Sequence, residues 1–455
     1  MTESPSRAYT IIAACCGILA IGMIAGAGLW MTAAITVATV VILGQYVSMV
    51  WSSSVVAVRD VATGQRATEA VGTSDDIEVA IGARVPMKVA VTNEGSIPIA
   101  WLLAEDLIPS ATSVQRGALK IEGARLAVMM LMPGQTRHVD YTIVCRRRGY
   151  FQIGPTVLET GDPVGMFRRY RLGTSPMYLT VLPSVELLST CEIGSRRPIG
   201  EIRMRDNVMA DPTRLRGIRQ WQVGDPMRSV HWAATARTGT LHSKVYEPSS
   251  IIGATLLLDF HGATNPSHHE PVRTDLAVTA AASIAAALHD AGEPFGLASN
   301  ARDAADRIRT QGFQGDHRVR DSAGAAGAMQ GSSDRMRPVL VPVDRGPVQL
   351  RHVTQTLARM ERTDGMTLAE FLMECQSRLS QETTILMIIQ SASEADVASI
   401  LALARRGWAV SVIINTLEIH DYARLAGPLI AERIQVSHLA DESSIMDVCR
   451  AQLAR

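Results

Sequence analysis

Lysine is nearly missing from this chain of 455 residues, with three copies, and aromatic residues make up only 4%. The 44 Lys and Arg are matched by 44 Asp and Glu, so the basic excess that holds nucleic-acid phosphates is absent and no nucleic-acid partner is expected. No Gly-x-x-x-x-Gly-Lys-Ser/Thr loop occurs, so any ATP-driven step belongs to a partner. The six cysteines, Cys15, Cys16, Cys145, Cys191, Cys375 and Cys449, form no CxxC pair, which excludes a zinc knuckle and a disulfide framework and fits reduced thiols in the cytoplasm. Charged residues are 19% and hydrophobic ones 47%, a balance that excludes general disorder. At roughly 150 residues per domain, the length asks for about three units.

Charge of either sign is also missing between Arg7 and Arg59. That run is long enough for two crossings of about 20 residues each. Splitting it at Gly28-Leu29-Trp30-Met31-Thr32 predicts a helical hairpin within 1–58, with spans near 8–29 and 32–51 and with Trp30 and Trp51 at the water–lipid interface. A cleaved signal peptide has a shorter apolar core of about 7–15 residues and no second span. Arg7, Arg59 and Arg66 flank the hairpin and place both ends, and so the bulk of the chain, on the cytoplasmic side of the cell membrane. The spans carry no ionisable residue, which argues against an ion path. Gly22 and Gly26 suit close helix packing, either within the hairpin or between two copies; the oligomeric state stays open.

Residues 70–190 read as a β-sandwich-like domain. Val85–Thr92, Ile97–Leu103, Leu126–Met132, Val139–Cys145 and Met177–Leu182 alternate as strands, separated by Asn93-Glu94-Gly95, Pro133-Gly134 and Gly154-Pro155 turns, a pattern of two antiparallel sheets. Arg146, Arg147 and Arg148 suit phosphate or acidic headgroups, or more simply exposed strand ends with carboxylate partners. Asp162-Pro163 reads as a rigid turn.

Residues 191–250 are an arginine-rich junction running through Arg214, Arg216, Trp221, Gly224, Asp225, Arg228, His231, Trp232 and Arg237. Asp225 as N-cap, Pro226 at the first helical position and Gly239 as C-cap predict a helix over 226–237. On it Met227, Val230 and Ala234 share an apolar face, and Arg228 can stack on Trp232. One reading makes this a hydrogen-bonded corner between domains. The other makes these nine residues a docking surface, because Arg and Trp are enriched at binding hot spots. A catalytic Asp225–His231 pair is the weakest reading, since six positions across a cap impose no contact and no nucleophile is evident.

Arg214-Leu-Arg216 through Trp221-Gln-Val-Gly224-Asp225-Pro-Met-Arg228-Ser-Val-His231-Trp232, then Ala236-Arg237-Thr-Gly239-Thr-Leu241, resembles the signature of the bacterial domain-of-unknown-function 58 proteins. Arg147-Arg148-Gly149-Tyr150 to Asp162-Pro163-Val-Gly165-Met-Phe167-Arg168-Arg169 resembles the same family's upstream segment. The resemblance implies a membrane-anchored, non-enzymatic partner of a MoxR-type AAA+ ATPase that assists assembly or maturation of other proteins. It also implies a von Willebrand factor type A-like C-terminal domain.

Residues 251–455 read as that α/β domain. Strands are expected at Ile251–Asp259, Phe295–Ser299, Val339–Val343, Thr384–Gln390 and Ala409–Asn415, helices at Thr274–Ala291, Pro347–Arg362, Leu368–Gln381 and Glu394–Arg406, then a short strand and helix. Ala301–Arg337, rich in Gly, Ser and Arg, is expected to be a long loop. Ligands in such sheets sit beyond the carboxyl ends of the strands, which directs attention to Asp259. A type A metal site needs an Asp followed by two serines; Asp259-Phe-His261-Gly-Ala263 keeps only the first oxygen ligand, so Mg²⁺ should bind poorly and neither a metal nor another cofactor is expected. A rival reading groups His261, His268, His269 and Glu270 as a zinc site of a membrane-tethered hydrolase.

Overall fold

The computed structural model describes residues 28–61, 76–108, 117–163, 165–186, 210–222, 230–248, 253–311, 336–379 and 383–453, with positions 14, 16–17, 19–22 and 227 besides. Two compact units emerge: Met1–Ser184 with Arg302–Ser333 and Thr354–Arg362, and Val185–Ala301 with Asp334–Val353 and Thr363–Arg455.

The first unit begins with α1, Gly28–Ser54, of which Met31–Ser54 is long and apolar enough to cross a membrane. The turn expected at Gly28–Thr32 is helix instead. One glycine costs a helix only about 1 kcal/mol, and neither proline nor charge follows it to break the run. The first expected span lies mostly outside the described residues, and its described positions are helical. Strand β1, Val55–Val61, follows α1 without an intervening residue, so the segment assigned to the anchor already contains sheet. Trp51 is not an interface residue: it is 5% exposed and packs with Val55, Val91, Ile99 and Leu102. Carbonyls at the helix end, which lack intrahelical partners, are taken by Arg171, whose Nη1 donates to the oxygens of Ser52 and Ser53 and to that of Val55 at the start of β1, at 3.1–3.2 Å.

The β region has three sheets where two were expected. With β2 Asp76–Ala80, β3 Arg84–Asn93, β4 Ile99–Asp106, β5 Leu119–Gly123, β6 Leu126–Leu131, β7 Thr136–Cys145, β8 Gly149–Ile153, β9 Thr156–Gly161, β10 Arg168–Leu172 and β11 Met177–Leu182, their orders are β1-β3-β7-β5, β10-β9-β4-β6 and β2-β11-β8. All pairs are antiparallel except β2 with β11. Period-two alternation gives the first sheet one inward face, and that face serves two cores. Val55, Val89, Val91 and Val139 meet Ile99, Leu102, Leu131 and Leu158 of the second sheet. Val85, Met87, Tyr141 and Ile143 meet Phe151, Ile153, Leu179 and Val181 of the third.

Arg59 of β1 joins all three sheets. Its guanidinium makes a bidentate pair with Asp106 at the end of β4, Nε to Oδ2 at 3.0 Å, and donates to the Ser175 carbonyl at 2.8 Å, just before β11. Asp106 also accepts from the Tyr141 hydroxyl at 2.6 Å and the Thr156 hydroxyl at 3.2 Å. Burial, with Asp106 beside it, pushes the Tyr141 hydroxyl well above its ordinary pKa, so it stays a donor. Gly154, at φ 86°, lies so close that a Cβ there would overlap the guanidinium. The arginine counted as a cytoplasmic flank is thus a buried part of the sandwich.

Arg148, too, is structural: its Nη1 donates to the carbonyls of Leu357 at 3.0 Å and Met360 at 2.9 Å, where helix α5, Pro347–Arg359, ends. The expected loop from Ala301 is ordered at its start. Arg302–Asp303 (β16) pairs with Met360–Glu361 (β18), α4 spans Ala304–Gln311, and Arg307 grips Glu361 through two bonds of 2.6 and 2.7 Å. Residues 312–335 lie outside the described part. Composition pointed to a loop because these ion pairs reach about fifty residues along the chain.

In the second unit, β14 Ala254–Leu258, β15 Phe295–Ser299, β17 Val339–Asp344, β19 Thr384–Ile389, β20 Val410–Ile414 and β21 Gln435–His438 form one sheet in the order β17-β15-β14-β19-β20-β21, parallel except for β17. Every residue of β14, β19 and β20 is buried, as a sheet covered on both faces requires. Leu257, Ile385, Met387, Val412 and Ile414 share a core with α6 (Leu368–Cys375), α7 (Glu394–Arg405) and α8 (Ile419–Ala431). Helix α3, Val272–Asp290, lies on β14, β15 and β19, and α9, Ser443–Leu453, lies on β21. Helix α8 was not expected; it carries Pro428 inside it, and burial of Leu425, Ala426 and Leu429 offsets the lost hydrogen bond. Cys145 and Cys375 are free and buried, and burial pushes both thiols up to about 12.

Removing one partner of a buried ion pair leaves an uncompensated charge. Arg59→Ala should therefore cost the sandwich about 3–5 kcal/mol, whereas Arg168→Ala at the exposed pair with Glu159 should cost under about 1 kcal/mol. Urea unfolding of the full chain in detergent, followed by circular dichroism, separates the two; equal midpoints would contradict this assignment.

Candidate functional site

The signature segment is built on a two-stranded ribbon, β12 Ala210–Gln220 and β13 His242–Pro248, paired from Leu215↔Tyr246 to Gln220↔His242 with irregular register at its far end. Helix α2, Trp232–Thr238, sits in the connection. Its start is tied to the ribbon by His231 N–H to the His242 carbonyl at 2.8 Å, and the ribbon closes with Trp221 N–H to Leu241 O at 2.9 Å.

Gly239 ends the helix as expected, at φ 73° with its N–H on the Thr235 carbonyl. The start differs. The N-cap is His231, whose Nδ1 accepts from the Ala234 N–H at 3.0 Å, so the helix begins six residues after the expected Pro226. Val230 explains the delay: it forms a β-bridge with Ser243 and is buried there, which holds its backbone extended. Met227 is exposed, so Met227, Val230 and Ala234 do not form a shared apolar face.

Gly224, Asp225 and Arg228 lie outside the described residues, and with them the Arg228–Trp232 stack and any Asp225–His231 pair. Arg214 and Arg216 are placed as backbone on β12. Trp221 is half-buried, with its indole nitrogen enclosed and without a hydrogen-bond partner. His231 is occupied as a cap. Trp232 is 64% exposed in the first turn, Arg237 is exposed in the last, and Ile218, Met227 and Leu241 are exposed apolar side chains on the same ribbon and connection.

Beyond the carboxyl end of β14, where the strand order reverses between β14 and β19, lies a closed polar cluster. Asp259 is buried, and its Oδ1 accepts from the His261 N–H at 3.1 Å and Asn300 Nδ2 at 2.7 Å, while Oδ2 takes the Thr264 hydroxyl. Asn265 Nδ2 donates to the carbonyls of Asp259 and His261. The nearby Asp396 carboxylate is spent on the N-termini of α6 and α7, accepting from Ala369 N and from Ser393 N and Oγ at 2.8–2.9 Å. Each carboxylate therefore already accepts from three N–H or O–H donors, a set that suits hydrogen bonding better than a hard divalent cation, which needs free oxygens. Burial raises the Asp259 pKa above its ordinary value against the opposing effect of those donors. Thr264, Asn265 and Asn300 escaped the sequence reading; Asn300 lies forty-one positions from Asp259 and carries no motif.

The histidines do not assemble. His261 Nδ1 accepts from Ala263 N–H at 3.2 Å, and the rings of His268 and His269 lie tilted at 48° with centroids 3.9 Å apart in a short 3₁₀ turn. Desolvation, with His268 and Arg273 nearby, lowers the His269 pKa. Among the described residues no three metal-capable side chains come together.

Residues 217–330 match a family model described as a protein of unknown function, DUF58. No curated protein matches the chain. Among solved structures, a CARDB domain from Pyrococcus furiosus is similar at 10% identity, with 28% of this chain and 91% of that one covered and a TM-score of 0.19. A FixG-related protein from Vibrio parahaemolyticus is similar at 8% identity, with 28% and 96% covered and a TM-score of 0.18. At these TM-scores the likenesses identify neither fold nor function.

The Asp259 cluster predicts a pH dependence with a definite sign. Because its folded pKa is raised, the folded state holds a proton that the unfolded chain releases, so stability falls as pH rises from the ordinary carboxylate value through the folded one. Asp259→Asn should remove that dependence and be at least as stable as the parent at neutral pH. Asp259→Ala should lose about 1–3 kcal/mol for each donor left buried and unpaired. Thermal unfolding between acid and neutral pH measures both; an Asn variant that loses stability as pH rises would contradict the assignment.

Proposed function

We propose that this chain, a member of the DUF58 family by its residues 217–330, is a non-enzymatic, membrane-anchored interaction protein whose signature ribbon docks a cytoplasmic MoxR-type AAA+ ATPase. The role would lie in assembly or maturation of other proteins. The observation that carries the reading is Trp232, 64% exposed at the start of α2, since a large aromatic kept in water on a segment that also exposes Ile218, Leu241 and Arg237 matches the composition of a binding hot spot. The ATPase as partner comes from the family resemblance alone. In this reading the α/β unit is the type A-like domain, with Asp259 held by amides and hydroxyls where a metal-binding relative would hold a cation.

The anchor is read as a two-span hairpin with both ends cytoplasmic. On α1, Ala34 and Val41, which precede the contact of Gly44 with Asp162 and Phe167, are buried at seven-residue spacing, as a packed neighbour would produce. Arg59 can bias orientation only during insertion, before Asp106 takes it up. The alternative, a metal-dependent hydrolase on the His261/His268/His269 loop, lacks a gathered ligand set among the described residues.

Trp232→Ala should weaken binding of the full chain to a MoxR-type ATPase by about 2 kcal/mol, roughly thirtyfold in Kd, and leave the melting temperature nearly unchanged, because the side chain is exposed. Pull-down titration with a melting curve on the same preparation checks both; unchanged affinity would remove the docking role. A reporter fused after Arg455 should be active only in its cytoplasm-dependent form, and activity on the other side would overturn the orientation.

A further inference from the structure

We infer that the bilayer surface meets α1 at Gly44, where the tip of the β9–β10 hairpin, Pro163 to Phe167, enters the lipid interface and Arg168 stands at the level of the headgroup phosphates. The inference rests on α1 being a membrane span. It adds the depth at which that helix leaves the hydrocarbon and a lipid contact made by the β domain itself.

The hairpin runs alongside the C-terminal turns of α1. At one end Arg171 of β10 donates to the carbonyls of Ser52 and Ser53. At the other, a Cβ built on Gly44 would lie 3.5 Å from Asp162 Cβ and 3.6 Å from the Phe167 ring, ordinary contact distances. From Ser54 back to Gly44 the helix rises about 15 Å, so the tip is the part of the hairpin that reaches farthest back along the span. Hydrogen bonds hold it there. Asp162 N–H donates to the Phe167 carbonyl at 3.2 Å and Gly165 N–H to the Asp162 carbonyl at 3.0 Å, while Phe167 N–H donates to Asp162 Oδ1. The Trp101 indole N–H donates to the Asp162 carbonyl at 3.3 Å, which ties the tip to β4.

Two limits fix the depth. Hydrocarbon cannot reach past the tip, because β10 is the outer strand of its sheet and begins with Arg168, whose side chain is 68% exposed; neither a strand edge nor an exposed guanidinium is stable among acyl chains. Nor can it stop far short of the tip: in the two-span reading the helix from Gly28 to Gly44 rises about 24 Å, already the short end of a crossing. The side chains change character at the same point. Before Gly44, Ile35, Ile42 and Leu43 are exposed, and Thr36 and Thr39 return their hydroxyls to the carbonyls four residues back at 2.8 Å, as hydrocarbon requires. After it, Gln45, Tyr46 and Ser53 are exposed, and tyrosine suits the interface. The tip itself reads Pro163-Val-Gly-Met-Phe167, without charge, and Arg168, Arg169 and Arg171 follow. Pro163 and Gly165 are exposed. An uncharged end with a basic collar matches the order of the lipid it faces, acyl chains first and phosphates next.

Depth-dependent quenching tests this. Ile35→Cys, Ile42→Cys, Met49→Cys, Pro163→Cys and Leu126→Cys, all at exposed positions, are made one at a time in the full chain with Cys15, Cys16, Cys191 and Cys449 changed to Ser; Cys145 and Cys375 stay, buried as thiols. Each is labelled with an environment-sensitive fluorophore and reconstituted in phosphatidylcholine vesicles whose acyl chains carry bromine either near the headgroup or near the chain end. Position 35 should be quenched most by the deep bromine, 42 and 163 most by the shallow one, and 49 and 126 by neither. Quenching at 35 and 42 without quenching at 163 puts the tip off the lipid and overturns the inference while leaving the span intact. Shallow quenching at 49 as strong as at 42 moves the boundary towards Ser54 and also overturns it. No quenching at 35 or 42 overturns the span and the inference with it. Met166→Cys is a second reporter of the tip, read in place of Pro163→Cys if circular dichroism shows that variant to have lost strand structure.

Discussion

The buried pair of Arg59 and Asp106 is the contact on which the first unit depends. Arg59 stands in the strand that continues the apolar helix, Asp106 ends a strand of the facing sheet, and Ser175, Thr156 and Tyr141 bring the remaining strands to the same point. A charge taken out of water is tolerated only with such complete pairing. The consequence is mechanical: the pair ties the strand that continues the helix to the facing sheet, and Arg171 holds the helix end itself.

That stiffness contrasts with the ribbon of the second unit. Among the described residues its strands pair with each other and with no other sheet, and Ile218, Arg219 and Leu241 are exposed. The parallel sheet shows the opposite economy. At its strand-order reversal, where α/β proteins commonly bind ligands, Asp259 is enclosed by Asn300, Thr264 and the His261 amide and spends its oxygens on the fold. In a non-enzymatic reading the exposed ribbon would carry recognition while the sheet supplies a rigid base.

Strand and helix positions were legible wherever one periodicity ran uninterrupted. Phe295–Ser299 and Met177–Leu182 were placed to the residue, because alternation or a short apolar run between turns leaves few options. Errors arose where a distant partner outweighed a local rule. Arg302–Gln311 is ordered by contacts with Glu361, and α8 persists through Pro428 because its apolar stripe is buried. In the candidate site, Gly239 was readable as a cap because only the backbone conformation matters there. His231 was not, since Val230 had first to be drawn into a bridge with Ser243.

The amino-acid sequence alone determined the order of the parts: an apolar, uncharged front, an alternating β region, an arginine-rich signature and an α/β end. Composition and periodicity are local quantities, and they suffice for that. Tertiary structure decided which side chains are used up and which are left free. Trp51, expected at the water–lipid interface, is core; Arg59, read as a flanking charge, is a buried cross-link; Arg148 caps a helix more than two hundred residues away; Trp232 remains exposed. The reason is physical. Whether a charge or an indole is buried depends on what the chain brings to it from elsewhere, and no window of sequence contains that information.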